Sequence, residues 1–340
     1  EAPIGEAALN RKILALRTAL QNPKLDPRPA AQELYQILFA PLAKDLRAMK
    51  ATTLMWSLDG VLRYVPVGAL YDGEKYLVEH FRHVVFTPAS NARLKDAVSK
   101  SWQALGLGVT RGFGDKIPAL PAVADEMRGI IREGSSTKGV LPGTIKLDEQ
   151  FTLEAMQTGL RGRPTVVHVA SHFDFKPGNE TDSRLLLGDG SFLSLAQIQA
   201  MPTPFSGVEL LTLSACNTAT GGSSANGKEV EGFGVLAQRK GAKAVVASLW
   251  PVADRTTQLL MEEFYRGREA QKLTKIEAMR QAQIKLLRGE LSKQPSETVA
   301  SREIKHDSSA KAAPPFTPNK QRPYAHPYYW APFILIGNWK

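Results

Sequence analysis

At 340 residues, with 43% hydrophobic and 22% charged residues, the chain has the balance of a globular protein and can bury one large domain or two smaller ones. Its net charge of +10 rests on scattered lysines and arginines, with no long basic run and no interleaved aromatics, so nucleic acid is not expected as the main ligand. No run approaches the roughly 18 apolar residues of a membrane span, and the single cysteine excludes an intrachain disulfide and fits a reducing, cytoplasmic setting.

The opening Glu-Ala-Pro-Ile-Gly carries no basic stretch followed by an apolar run, so no secretory signal is expected there. The first fifty residues read as helix: Leu34, Ile37, Leu38, Leu42 and Leu46 keep a helical spacing, and Pro41 marks a break. Strand-like runs follow at 52–58 (TTLMWSL), 76–81 (YLVEHF) and 83–88 (HVVFTP), separated by turn signals at Asp59-Gly60 and Asp72-Gly73. The run 104–110 and the helical 122–133 form one strand–helix unit, and a further helix is expected from Thr152 to Leu160.

From residue 164 the pattern sharpens. The runs 164–171 (PTVVHVAS), 207–215 (GVELLTLSA) and 241–250 (GAKAVVASLW) are short, apolar and nearly continuous, as suits parallel strands covered on both faces. A hairpin is expected at 185–195 around Gly188-Asp189-Gly190. Thr274 and Glu277 form a capping-box pattern that opens a helix over 275–288, with Gly289 as its stop. Residues 291–325 are polar and lack an apolar period, so they read as a flexible insertion before the strand-like 326–339. No helical repeat is present. The whole reads as α/β.

Two residues able to do chemistry together sit at carboxyl ends of strands, where an open parallel sheet collects functional groups. His172 follows the run 164–171 and Cys216 follows 207–215, a spacing that leaves room for one crossover between neighbouring parallel strands. A nearby imidazole raises the thiolate fraction of a cysteine and protonates a leaving amine. His168 lies four residues before His172. An extended chain separates such a pair by about 13 Å, too far for one metal ion, so His168 reads as packed inside the sheet and no metal or other cofactor is expected.

The segments VVHVASHFDF (166–175), LSACNTATGG (213–222), GAKAVVASLWPVAD (241–254), MEEFYRG (261–267) and HPYYWAPFILIG (326–337) resemble, in order, the successive motifs of the CHAT domain, and VPVGALYDGEKYLVEHF (65–81) resembles its earlier section. The resemblance implies an α/β, caspase-like three-layer sandwich with a mostly parallel sheet, preceded by a degenerate pseudo-caspase half. On that scheme 1–50 is an N-terminal helical segment, 51–150 the pseudo-caspase-like subdomain and 151–340 the active subdomain. It also implies a cysteine peptidase with His172 and Cys216 as catalytic residues, a protein substrate and a regulatory partner or tetratricopeptide-type sensor module. The family commonly has Gly after this histidine, where the chain has Phe173; the backbone N–H groups of Phe173 and Cys216 are the implied oxyanion donors. LWPVAD (249–254) resembles the separase segment whose carboxylate binds a substrate arginine, which makes Asp254 a specificity candidate as well as a helix cap. Glu229 and Glu231 are competing acidic groups. A catalytically weak CHAT scaffold that binds a regulator is the second reading; the presence of both His172 and Cys216 favours the enzyme.

Overall fold

The computed structural model of the chain describes residues 4–115, 117–174, 183–214, 228–250, 254–291 and 313–340. Three helices open it: α1 (Glu6–Leu20), α2 (Arg28–Leu38) and α3 (Ala40–Ala48), with the break between the last two at Phe39 and Pro41 seated in the first turn of α3. β1 (Thr53–Trp56) follows, then α4 (Leu77–His80) and β2 (Arg82–Val85). The run 76–81 is therefore not a strand. Glu79 accepts a hydrogen bond from the Tyr76 N–H at 3.2 Å, and this cap closes a single helical turn that outweighs the β propensity of its residues.

β3 (Ala104–Gly108), α5 (Val123–Ile130), β4 (Ile131–Arg132), β5 (Leu141–Leu147) and α6 (Leu153–Arg161) come next. They are followed by β6 (Val166–Ala170), the short strands β7 (Phe173–Asp174), β8 (Arg184–Leu186) and β9 (Phe192–Ser194), and α7 (Leu195–Ala200). The chain continues through β10 (Leu210–Leu213), α8 (Lys228–Arg239), β11 (Ala244–Ser248), α9 (Asp254–Ala270), α10 (Lys275–Leu287) and β12 (Phe333–Gly337). Thr274 caps α10 by accepting from the Glu277 N–H, and Gly289, at φ +77°, ends it. The predicted hairpin is β8–β9, with Asp189 accepting from the Ser191 N–H and hydroxyl in its turn and Gly190 at φ +88°.

Among the described residues, nine strands form one sheet in the order β1-β2-β12-β11-β10-β6-β3-β5-β4, parallel throughout except for the β11–β12 pair. The sheet joins strands from both sides of residue 150. Alternate side chains feed two cores: Val166 and Ala170 of β6 face α5, α9 and α10, whereas Val167 and Val169 face α6, α7 and α8. Helices on both faces explain why β6, β10 and β11 are buried at every position and read as unbroken apolar runs. The molecule is thus an α/β three-layer sandwich with a mostly parallel sheet.

Part of the stretch expected to be a flexible insertion is packed. Residues 314–316 run beside the α1–α2 connection, with the Asp26 N–H donating to the Pro314 carbonyl at 2.7 Å and the Phe316 N–H to the Lys24 carbonyl at 2.8 Å. The Phe316 ring meets His326 edge-on at 4.7 Å. Residues 292–312 lie outside the described part. No helix among the described residues is long and apolar enough to cross a membrane.

Candidate active site

β6 and β10 lie side by side in parallel, with Thr212 opposite His168 and Leu213 opposite Val169. The Ser214 N–H extends this ladder by donating to the Val169 carbonyl at 2.8 Å. β11 continues the sheet on the other side of β10, also in parallel. The carboxyl ends of β6, β10 and β11 therefore open side by side along one edge, the arrangement expected of a functional crevice.

His172 stands two residues beyond the end of β6. Its Nε2 lies 2.8 Å from the Pro118 carbonyl oxygen. A carbonyl only accepts, so Nε2 carries the hydrogen and donates it; in the neutral ring Nδ1 then holds the lone pair, the form a general base requires. Pro118 itself is held by a folded loop at the end of β3: the Phe113 N–H donates to the Ile117 carbonyl and the Leu120 N–H to the Thr110 carbonyl. Thr110 in turn donates through its N–H (2.8 Å) and its hydroxyl (2.7 Å) to Asp148. Burial opposes ionisation of Asp148, but these bonds, a further one from the Arg111 N–H and the nearby guanidinium prevail and hold its carboxyl below the usual carboxylate range. Arg111 also donates to the Gly188 carbonyl at 2.9 Å, which ties the loop to the β8–β9 turn. Gly188 is required there, because a Cβ would lie 1.7 Å from the Asp148 carbonyl oxygen.

Phe173 follows in β7, with a buried ring set edge-on to Phe233 of α8 at 5.6 Å. Its φ is not positive, so the backbone does not demand the glycine common in the family. Cys216 lies outside the described residues. Glu229 and Glu231 sit in the first turn of α8 and Asp254 is the first residue of α9, reached from the end of β11; their side chains lie outside the described part. The cap role expected of Asp254 falls outside the described residues.

His168 is fully buried within the sheet, as its sequence context suggests. Both ring nitrogens are engaged, Nε2 with Glu126 at 2.9 Å and Nδ1 with the Tyr265 hydroxyl at 3.1 Å. No group of three or more side chains suited to a metal ion occurs among the described residues. Two elements of the site had no counterpart in the sequence reading. The Pro118 carbonyl is a backbone atom and leaves no residue-type signature. Glu126 and Tyr265 look like ordinary helix residues until the fold brings them to His168.

Among solved structures, the chain is similar to the Arg-specific cysteine proteinase gingipain R at 12% identity and a TM-score of 0.47, covering 92% of this chain and 67% of that one. It is similar also to the chain of the Saccharomyces cerevisiae separase–securin complex at 12% identity and a TM-score of 0.48, covering 89% of this chain and 17% of that one. No curated protein matches the sequence. The CHAT domain profile matches residues 28–338, nearly the whole chain, so the ordered motifs from VVHVASHFDF to HPYYWAPFILIG are those of a family to which this protein belongs: the CHAT-domain family.

Proposed function

We propose that the chain is a caspase-like cysteine endopeptidase in which Cys216 attacks the scissile carbonyl and His172 takes the thiol proton, later returning it to the leaving amine. The observation that carries this reading is the register of β6 and β10. Val169 stands opposite Leu213, and His172 and Cys216 follow these partners in the sequence by three residues each. The Ser214 N–H is bonded to the Val169 carbonyl at that edge, and Cys216 follows two residues later in the sequence, which supports the pairing. The Nε2–H bond to Pro118 leaves the base function to Nδ1. The backbone N–H groups of Phe173 and Cys216 are the proposed oxyanion donors.

The substrate reading is a basic residue before the scissile bond, with Asp254 as counter-charge and Glu229 and Glu231 adding favourable potential. Its support is the LWPVAD segment together with the parallel β10–β11 pair, whose ends open onto the same edge. A regulatory partner or sensor module is proposed to control the site.

A fluorogenic panel with Arg, Lys, Asp and Leu at the cleaved position, run on the wild type, Cys216→Ala and Asp254→Asn, tests both levels. The expected result is cleavage after Arg ahead of Lys, lost by several orders of magnitude in Cys216→Ala and weakened for Arg in Asp254→Asn. Hydrolysis that survives in Cys216→Ala removes the peptidase mechanism. An Arg preference untouched by Asp254→Asn removes the specificity assignment alone. Failure of a thiol-reactive probe to distinguish wild type from His172→Ala favours the scaffold reading.

A further inference from the structure

Four side chains beneath the site form one buried chain of hydrogen bonds. The Tyr265 hydroxyl of α9 lies 3.1 Å from His168 Nδ1 on β6 and 2.8 Å from Thr212 Oγ1 on β10. His168 Nε2 lies 2.9 Å from Glu126 Oε1 on α5. All four residues are at most 3% exposed. Their bonds run in one consistent direction when the imidazole is neutral: Thr212 donates to Tyr265, Tyr265 to His168 Nδ1, and His168 Nε2–H to the Glu126 carboxylate. Burial raises the Tyr265 phenol far above its ordinary range, so its proton stays on the oxygen.

The placement of this chain is what gives it meaning. Thr212 and His168 are register partners across the β6–β10 ladder. One hydroxyl therefore joins two strands at a single level, four residues before His172 on one and four residues before Cys216 on the other. The Glu126 end makes a second tie. Glu126 sits on α5, whose incoming loop presents the Pro118 carbonyl to His172. The segment from Pro118 to Glu126 is thus pinned to the β6 segment at two points, 118 to 172 and 126 to 168. An apolar filling would serve packing at least as well, since a buried ionisable pair loses much of its attraction to desolvation. A fully satisfied polar network fixes one arrangement where apolar packing tolerates several.

We propose that the Glu126–His168–Tyr265–Thr212 chain is a positioning network, which sets β6, β10 and the Pro118 loop so that His172 meets Cys216 in a reactive geometry. The proposal rests on the His172–Cys216 reading above. Its residues touch no substrate; they act through the two strands.

The test uses the only cysteine of the chain. The rate of Cys216 alkylation by iodoacetamide at pH 7 is followed by mass spectrometry in wild type, Tyr265→Phe, His172→Ala and the double variant, with far-ultraviolet circular dichroism as a check of folding. Tyr265→Phe is expected to slow labelling about tenfold or more in the wild-type background, because a displaced imidazole no longer holds the thiolate. In the His172→Ala background the same change is expected to leave the rate within about twofold, since nothing remains to be positioned. An equal slowing in both backgrounds, or none in either, overturns the network's role while leaving the dyad standing. If His172→Ala labels as fast as wild type, the dyad itself fails and the positioning role falls with it. Should Tyr265→Phe not fold, Thr212→Val removes the other partner of the same hydroxyl and is read by the same comparison.

Discussion

Single side chains show how unevenly this fold treats charge. Lys275, at the start of α10, is fully buried, and its Nζ has no hydrogen-bond partner among the described residues. Burial pushes its ammonium down to about 8; Glu209 pulls the other way from 4.0 Å, while Arg268 and Lys243 add to the depression. At pH 7 the amine is therefore still charged, in a place that does not solvate it. Glu209 does not depend on it, because Lys243 Nζ lies 2.5 Å from its other oxygen. Lys275→Met is accordingly expected to stabilise the fold by about 1–3 kcal/mol at pH 7, read as a rise in the urea midpoint at unchanged slope. A lower midpoint would mean that the attraction of Glu209 outweighs the cost of burying the ammonium. In the proposed site, His172 stands out in the sequence because motif and strand end coincide. Its orienting carbonyl at Pro118 does not, since a backbone oxygen is common to every residue type.

At the level of elements, period and capping signals carried far. The strands at 104–108, 166–170, 210–213 and 244–248 coincide with apolar runs that burial on both faces of the sheet explains, and the run at 52–58 also forms a strand, 53–56, although it is only partly covered. The failure at 76–81 has a local cause: Leu77, Val78 and Phe81 suit a strand, and only the Glu79 side chain reaching back to Tyr76 N–H decides for a helical turn. The polar stretch before β12 misled in another way. Composition reports how much apolar area a segment offers, not where its few aromatic residues land. Phe316 lands on His326 beside the α1–α2 connection. Phe316→Ala is expected to cost about 1–3 kcal/mol, seen as a lower melting temperature, whereas exchanging 292–312 for a short Gly/Ser linker is expected to leave it nearly unchanged on composition alone. Equal melting temperatures for Phe316→Ala and wild type would show that the contact adds nothing.

For the whole molecule, two histidines held neutral inside the fold add to its loss of stability in acid. His326 is 1% exposed; its Nε2 donates to the Leu25 carbonyl at 2.7 Å and its Nδ1 accepts from the Tyr328 N–H at 2.9 Å. Protonation of Nδ1 would set two donors against each other. Burial lowers its pKa to about 4, against the opposing pull of the Leu25 carbonyl and Asp26, with Arg28 adding to the depression. His83 is brought to about 4 in the same way, first by burial. Both stay neutral in the fold, while the unfolded chain takes up protons below about pH 6.5. Their share of stability is therefore complete above about pH 6.5 and is lost as pH falls toward about 4. His326→Gln keeps a donor and an acceptor but cannot titrate, so its melting temperature is expected to fall less steeply between those limits than that of wild type. Parallel curves would show that His326 does not couple folding to protons.

The position of β12 has a consequence for how the chain is made. β12 follows the other described strands in the chain, yet it lies between β2 and β11, so β1 and β2 join the rest only through a strand made after all of them. During vectorial synthesis β1 and β2 wait while some 250 residues are added at roughly 5–20 residues per second, holding an unclosed edge throughout. A nascent chain halted before Phe333 would present two unpaired strand edges, one at β2 and one at β11, each a template for a foreign strand. Completion of the sheet thus waits for β12, and the interval before it is when these strands have most need of a chaperone.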